Sequence, residues 1–191
     1  MVKLDGVDDF KKGLRIGVFD IESTGLNADF GYIMCVSVLD PATMKIETIR
    51  IDDDRNPDKN SDKWVVREAV KMLDRYDLLV GWYSERFDVP MINTRAILHN
   101  LKPLDNNFRR DLWYTAKFRM KLRNNRLATV GGYLFKKTLK DAITPSVWNS
   151  AIRGEKKALN YVVHHCEKDL YETLRVYKRL LPLIPKRLRK K

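Results

Sequence analysis

The order in which apolar patterns follow one another constrains the fold of this chain more than any other feature. Three successive segments have the composition and spacing of strands, namely Arg15–Ile21, Tyr32–Leu39 and Lys45–Ile51. Short turns separate them, which predicts an antiparallel meander. Apolar residues at helical spacing in Trp64–Tyr76 and an apolar run in Asp77–Trp82 then predict a helix and a fourth strand.

The second half of the chain is richer in helical patterns. Asp88–Leu98 is predicted to be a helix with Asp88 as its N-cap and with Met91, Ile92 and Ile97 facing the core. Asp111–Tyr114 fits either the end of a fifth strand or the start of a helix. Leu127–Phe135 is short and apolar, and Lys156–Leu181 predicts a long helix. This order is typical of an α/β sheet with packed helices, in one domain over residues 1–185 followed by a basic tail at 186–191.

Composition limits the partners of the chain. Lysine and arginine number 37 against 25 acidic residues, a formal net charge of +12 over 191 residues, which favours nucleic acid as a partner. A basic protein with merely solvated charges remains the alternative. Cys35 and Cys166 do not form a zinc motif, and no segment resembles a secretory signal or reaches the roughly 20 apolar residues that cross a bilayer. We therefore expect a soluble cytoplasmic protein without membrane partners.

Three acidic segments carry the candidate chemistry. Asp20 and Glu22 alternate along a strand, so their carboxylates share a face, where Mg²⁺ or Mn²⁺ would relieve their repulsion. Asp88 lies where a strand has ended and a helix begins, and it fits either an N-cap or a metal ligand. In the last helix His165 lies four residues before Asp169 on the same face, which suits either a general base or a stabilising pair.

These segments resemble three motifs of the DEDD exonuclease superfamily, in the same order. FDIESTGL is similar to the first motif, GWYSERFDVP to the second and HCEKDL to the third. The chain looks nearest to the predicted ribonuclease H-like, polymerase-B-type exonucleases. The resemblance implies an RNase H-like fold with a mixed sheet, an antiparallel meander plus parallel strands, flanked by helices.

The resemblance also implies an activity and its residues. It implies a metal-dependent 3′–5′ exonuclease that hydrolyses phosphodiester bonds at nucleic-acid ends, with DNA favoured over RNA. Two divalent cations, Mg²⁺ or Mn²⁺, would be held by Asp20, Glu22, Asp88 and Asp169, with His165 as general base. The residues expected to contact nucleic acid are Thr24, Gly25, Leu26, Tyr83 and Phe87.

Two departures from the family pattern concern Tyr83 and the histidines. Tyr83 stands where family members usually have asparagine. His165 lies four residues before Asp169 and His164 lies five before it, and both spacings occur in the family. A continuous helix favours His165, because a residue five positions from Asp169 is rotated by roughly 140°.

Other interpretations remain open from the sequence. The basic and aromatic stretch Arg109–Arg126 is a candidate for holding single-stranded substrate, or it consists of core aromatics under a charged surface. The tail Lys186–Lys191 would add affinity for nucleic acid, solubilise the chain or dock a partner. A structure-selective endonuclease and a catalytically inactive nucleic-acid-binding subunit of a replication or repair complex are the alternative functions, and replication or repair proteins are candidate partners.

Overall fold

A computed structural model describes residues 13–104, 108–139 and 142–184, which form a mixed sheet flanked by helices. The strands of this part of the chain are β1 (Ile16–Ser23), β2 (Ile33–Asp40), β3 (Lys45–Arg50), β4 (Leu78–Gly81) and β5 (Phe108–Asp111). Their order is β3-β2-β1-β4-β5. The first three strands form an antiparallel meander, whereas β4 and β5 run parallel to β1. The predicted mixed sheet is therefore confirmed.

The helices cover the sheet. Within the described ranges they are α1 (Lys63–Leu73), α2 (Asp88–Leu98), α3 (Leu112–Arg119), α4 (Leu127–Phe135), α5 (Pro145–Ile152) and α6 (Lys156–Leu180), with a short 3₁₀ turn at Leu181–Leu183. Both interpretations of Asp111–Tyr114 hold in part, because β5 ends at Asp111 and α3 begins at the next residue. The tail Lys186–Lys191 lies outside the described residues, and no described helix has the length and apolarity that a bilayer span requires.

Strand β1 divides the core into two layers. Phe19 and Ile21 pack with the helices α1 and α2 on one side of the sheet. Ile16 and Val18 pack with Leu170 of α6 on the other side. Since side chains alternate along a strand, Asp20 and Glu22 continue the row of Ile16 and Val18 toward α6.

Two sequence predictions about α2 are wrong in detail. Ile97 was expected in the core, but 67% of its surface is exposed, whereas Met91 and Ile92 are buried as predicted. Asp88 was expected to be the N-cap, but it is the first helical residue, and no side chain caps this helix. Its carboxylate accepts a hydrogen bond from the backbone of β1 instead, because the long-range contact is available once the chain is folded.

A buried ion cluster around Asp62 joins the loop before α1 to α2 and β2. The fully buried Asp62 carboxylate accepts hydrogen bonds from Arg95 at 2.8 and 2.6 Å and from the Ile33 N–H at 2.9 Å. His99 Nε2 lies 2.6 Å from the same carboxylate. Arg95 also donates to the carbonyl of Ala28, so the cluster fixes the loop that follows β1.

We expect Asp62→Asn to lower the free energy of unfolding by about 3 kcal/mol or more, because it leaves the guanidinium of Arg95 buried without its charged partner. Urea denaturation would measure the change. The exposed pair Arg153–Glu155 provides a control, since Glu155→Gln should leave unfolding near the wild-type value. Equal stabilities for the two variants would contradict this role of Asp62.

The effect of Asp62 should depend on pH. Burial raises its pKa, but hydrogen bonds from Arg95, the Ile33 N–H and His99 outweigh burial and hold the pKa below its ordinary value. A depressed folded-state pKa means that the carboxylate contributes stability above the unfolded pKa of about 3.9 and loses it as pH falls through the folded value. The stability difference between wild type and Asp62→Asn should therefore narrow in acid.

Candidate active site

The first two acidic residues lie at the carboxyl end of β1. Asp20 and Glu22 pair across the antiparallel ladder with Ser37 and Cys35 of β2. On the other edge β4 pairs with β1 only as far as Val18. Beyond Val18 the edge of β1 that faces β4 has no strand partner, so side chains from other elements can reach it.

Helix α6 brings two more residues to the same face of the sheet. His165 Nε2 lies 3.9 Å from Glu22 Oε1 and 3.8 Å from Asp169 Oδ2. Both His165 and Asp169 are buried, whereas His164 is exposed. The helix is continuous from Lys156 to Leu180, so the geometry brings His165 rather than His164 to the acidic residues.

Asp88 enters the open side of β1 from the start of α2. Its Oδ1 accepts a hydrogen bond of 3.1 Å from the N–H of Ile21, which β4 no longer reaches. The turn that delivers Asp88 is tight at Gly81, where an added Cβ would stand 2.6 Å from the side chain of Ser84. Burial and the neighbouring charge of Asp20 raise the pKa of Asp88 well above its ordinary value.

The structure adds a residue that the sequence interpretation did not single out, Asp111 at the end of β5. Its buried carboxylate accepts hydrogen bonds from three backbone N–H groups, those of Tyr83 (2.9 Å), Glu85 (3.1 Å) and Trp113 (2.9 Å). Burial raises the pKa of Asp111 despite these three donors. The charge of Asp111 in turn further raises the pKa of Asp88. The available signal was an aspartate directly before a helical aromatic segment, which is the pattern of an N-cap.

The residues expected to contact nucleic acid lie on two loops at this end of the sheet. Thr24 is tied to Tyr32 by a backbone hydrogen bond and by its own hydroxyl, which accepts from the Tyr32 N–H. Leu26 is 83% exposed beside Gly25. On the second loop Tyr83 is 42% exposed, whereas Phe87 packs partly against the core.

The donor chemistry of the site fits a hard divalent cation. Oxygen atoms of carboxylates are the ligands that Mg²⁺ and Mn²⁺ prefer. The raised pKa of Asp88 reflects a cost of gathering negative charge that a cation would remove. Across the ranges that the structure describes, no three acidic, histidine or cysteine side chains already stand in a ligating arrangement. Ligation would therefore require these side chains to reorient.

The two cysteines pack together next to this site. Cys35 and Cys166 are both buried free thiols in one small apolar cluster with Val163. Cys166 donates a long hydrogen bond of 3.6 Å to the carbonyl of Asp20. The hydrogen bond with Cys35, together with burial and the nearby acids, raises the pKa of the Cys166 thiol, so this thiol stays protonated.

Comparison with solved structures finds the same fold in a much larger protein. The family B DNA polymerase from the hyperthermophilic archaeon Pyrobaculum calidifontis is similar with a TM-score of 0.66 and 19% sequence identity. The similarity covers 88% of this chain but only 25% of the polymerase chain. At this identity the likeness concerns the fold alone.

Sequence comparison gives the family. No curated protein matches the chain in sequence. A model of the RNase H superfamily matches residues 18–181, which include all three acidic motifs. Members of this superfamily that are nucleases generally use divalent metal ions. Because the match covers most of its length, the chain belongs to the RNase H superfamily.

Proposed function

We propose that the chain is a metal-dependent 3′–5′ exonuclease that acts on DNA ends. One observation carries the proposal: His165 Nε2 lies 3.9 Å from the carboxylate of Glu22 and 3.8 Å from that of Asp169, and Asp88 binds the backbone of the strand that carries Glu22. Three segments that are distant along the chain thus meet at one end of β1. The three exonuclease-like motifs support the activity and its direction, and the likeness of fold to a DNA polymerase supports DNA as substrate.

The acidic residues would hold the metal ions. Asp20, Glu22, Asp88 and Asp169 supply oxygen ligands for two Mg²⁺ or Mn²⁺ ions. Bound ions of this kind supply a nucleophile at neutral pH and neutralise charge that develops at the reacting phosphate. Without a cation these carboxylates repel the phosphate, which makes the cluster unsuitable for binding nucleic acid by itself.

His165 would accept the proton of the attacking water at Nε2. That atom lies between Glu22 and Asp169, at 3.9 and 3.8 Å, so both carboxylates stabilise the imidazolium that forms. Burial between α6 and β1 restricts the movement of the ring. Gly25, Leu26 and Tyr83, on the two loops at this end of the sheet, would contact the terminal nucleotides.

We expect Asp20→Asn to abolish hydrolysis of end-labelled single-stranded DNA, as EDTA should for the wild type. Mn²⁺ should raise the thermal midpoint of the wild type, because it binds only the native state, but it should not raise that of Asp20→Asn. Asp54→Asn, an exposed acid in the loop after β3, is the matched control. Hydrolysis by Asp20→Asn at the wild-type rate would exclude the metal site proposed here.

The two adjacent histidines allow a matched pair of variants. His165→Ala should lower kcat by about 10²- to 10⁴-fold, the range for loss of a general base. His164→Ala should leave kcat near the wild-type value, because this side chain is exposed and away from the acids. Single-turnover rates of both variants give the comparison, and a larger loss for His164→Ala would reverse the assignment.

Closed circular DNA distinguishes the exonuclease from an endonuclease of the same fold. Single-stranded circles should remain intact while linear strands of the same sequence shorten from the 3′ end and release mononucleotides. Gel analysis of strands labelled at the 5′ end should show a ladder of shortening products, and strands labelled at the 3′ end should release labelled mononucleotide. Linearised circles would support the endonuclease instead.

A further inference from the structure

Four aromatic rings form a continuous surface beside the acidic site. The ring of Tyr83 lies 5.0 Å from that of Trp113, which in turn lies 5.2 Å from Tyr114, both in edge-to-face geometry. Tyr114 and Phe118, one turn apart on α3, have parallel rings 6.1 Å apart. We call these four residues the aromatic ridge.

The outer end of the ridge is open to solvent. Phe118 is 69% exposed and Tyr83 is 42% exposed, while Trp113 and Tyr114 are partly exposed. The alternative interpretation of Phe118 as a core residue is therefore wrong. A large aromatic side chain that leaves its face in water on a helix surface is available for contact with a ligand.

Positive charge surrounds the ridge. The ammonium group of Lys117 lies 4.6 Å from the ring centre of Trp113 and 5.6 Å from that of Phe118. Arg86 donates a hydrogen bond of 2.9 Å to the hydroxyl of Tyr114. Seven basic residues and a single acid, Asp111, occur between Arg109 and Arg126, and that acid is buried under the ridge. The surface thus pairs aromatic faces with cations.

Asp111 connects the ridge to the acidic site. Its carboxylate holds the backbone of Tyr83 and Glu85 on one side and that of Trp113 on the other. Asp88 follows three residues after Glu85 and reaches β1. Asp111 and the short segment from Tyr83 to Asp88 therefore connect the ridge with the end of β1.

The backbone of Tyr83 is unusual for its residue type. Its φ of 64° lies in the left-handed region, which asparagine and glycine adopt more readily than tyrosine. The hydrogen bond from its N–H to Asp111 and those from Arg86 and Phe87 to its carbonyl hold this conformation. A tyrosine at this position contributes an aromatic ring to the ridge, although its backbone conformation is strained.

We propose that the aromatic ridge binds single-stranded nucleic acid by stacking unpaired bases on Phe118 and its neighbours while Lys117 and Arg86 contact phosphates. The inference rests on the proposed function, for which it supplies the substrate form. Every base presents a flat face that stacks on an aromatic ring whatever its identity, and cations beside the rings attract the backbone. Paired bases in a duplex stack on one another and do not offer that face.

Binding of a fluorescein-labelled oligothymidylate, followed by anisotropy in EDTA, tests the ridge without turnover. Phe118→Ala should weaken binding by about 5- to 100-fold, the range for loss of one stacked base. Phe118→Leu, which keeps an apolar side chain without a ring, should lose nearly as much. Tyr161→Ala should bind as wild type, because Tyr161 is exposed on α6 next to Asn160, which bonds Arg50 at the far edge of the sheet.

A blunt duplex measured in parallel completes the test. Its affinity should not change in Phe118→Ala, because only unpaired bases use the ridge. Wild-type affinity in Phe118→Ala or Phe118→Leu, or failure of the wild type to bind oligothymidylate, would overturn the proposal and favour a protein partner for this surface. Equal losses for the duplex and the oligothymidylate would also overturn it, because binding would then not require unpaired bases.

The outcomes also separate the ridge from the nuclease activity. Binding that depends on Phe118 in a chain that hydrolyses no DNA would support the ridge and remove the exonuclease. If Phe118→Ala hydrolyses DNA at the wild-type rate and binds it with the wild-type affinity, the exonuclease is supported and the ridge is not.

Discussion

Asp88 is buried against β1 next to Asp20, and burial together with the charge of Asp20 raises the pKa of Asp88 well above its ordinary value. Such an arrangement costs free energy in the bare protein, because desolvated like charges repel. The fold tolerates it by giving Asp88 the N–H of Ile21 as a donor. Apolar packing on both faces of the sheet holds this carboxylate in place despite the cost.

The carboxylate of Asp111 has a different task from those of Asp20 and Asp88. It accepts three backbone hydrogen bonds and orients two turns, one leading toward Asp88 and one beginning α3. A single buried side chain thus ties the candidate catalytic residues to the aromatic ridge. A substrate strand bound on the ridge would therefore contact Tyr83, which belongs to the same turn that positions Asp88.

Local patterns predicted much of the architecture because strand and helix periodicities are local. The alternation in Lys45–Ile51 and the helical spacing in Asp88–Leu98 correspond to elements with nearly the same bounds in the structure. Helix α5 was not predicted, since Pro145–Ile152 is short and buries only Ala151. Ile97 was wrongly predicted to be buried, because an apolar residue type does not by itself show that a helical position is buried. Met91 and Ile92 already supply the buried side of this helix.

The sequence by itself determined the acidic motifs, their order, the mixed sheet they belong to and the spacing that puts His165 and Asp169 on one helix face. Tertiary structure alone decided that α6 lies across β1, so that His165 faces Glu22 while His164 faces solvent. It also decided that Asp111 serves two turns and that Phe118 is exposed. These outcomes depend on contacts between residues far apart in the chain, and periodicity along the chain carries no information about which distant surfaces meet.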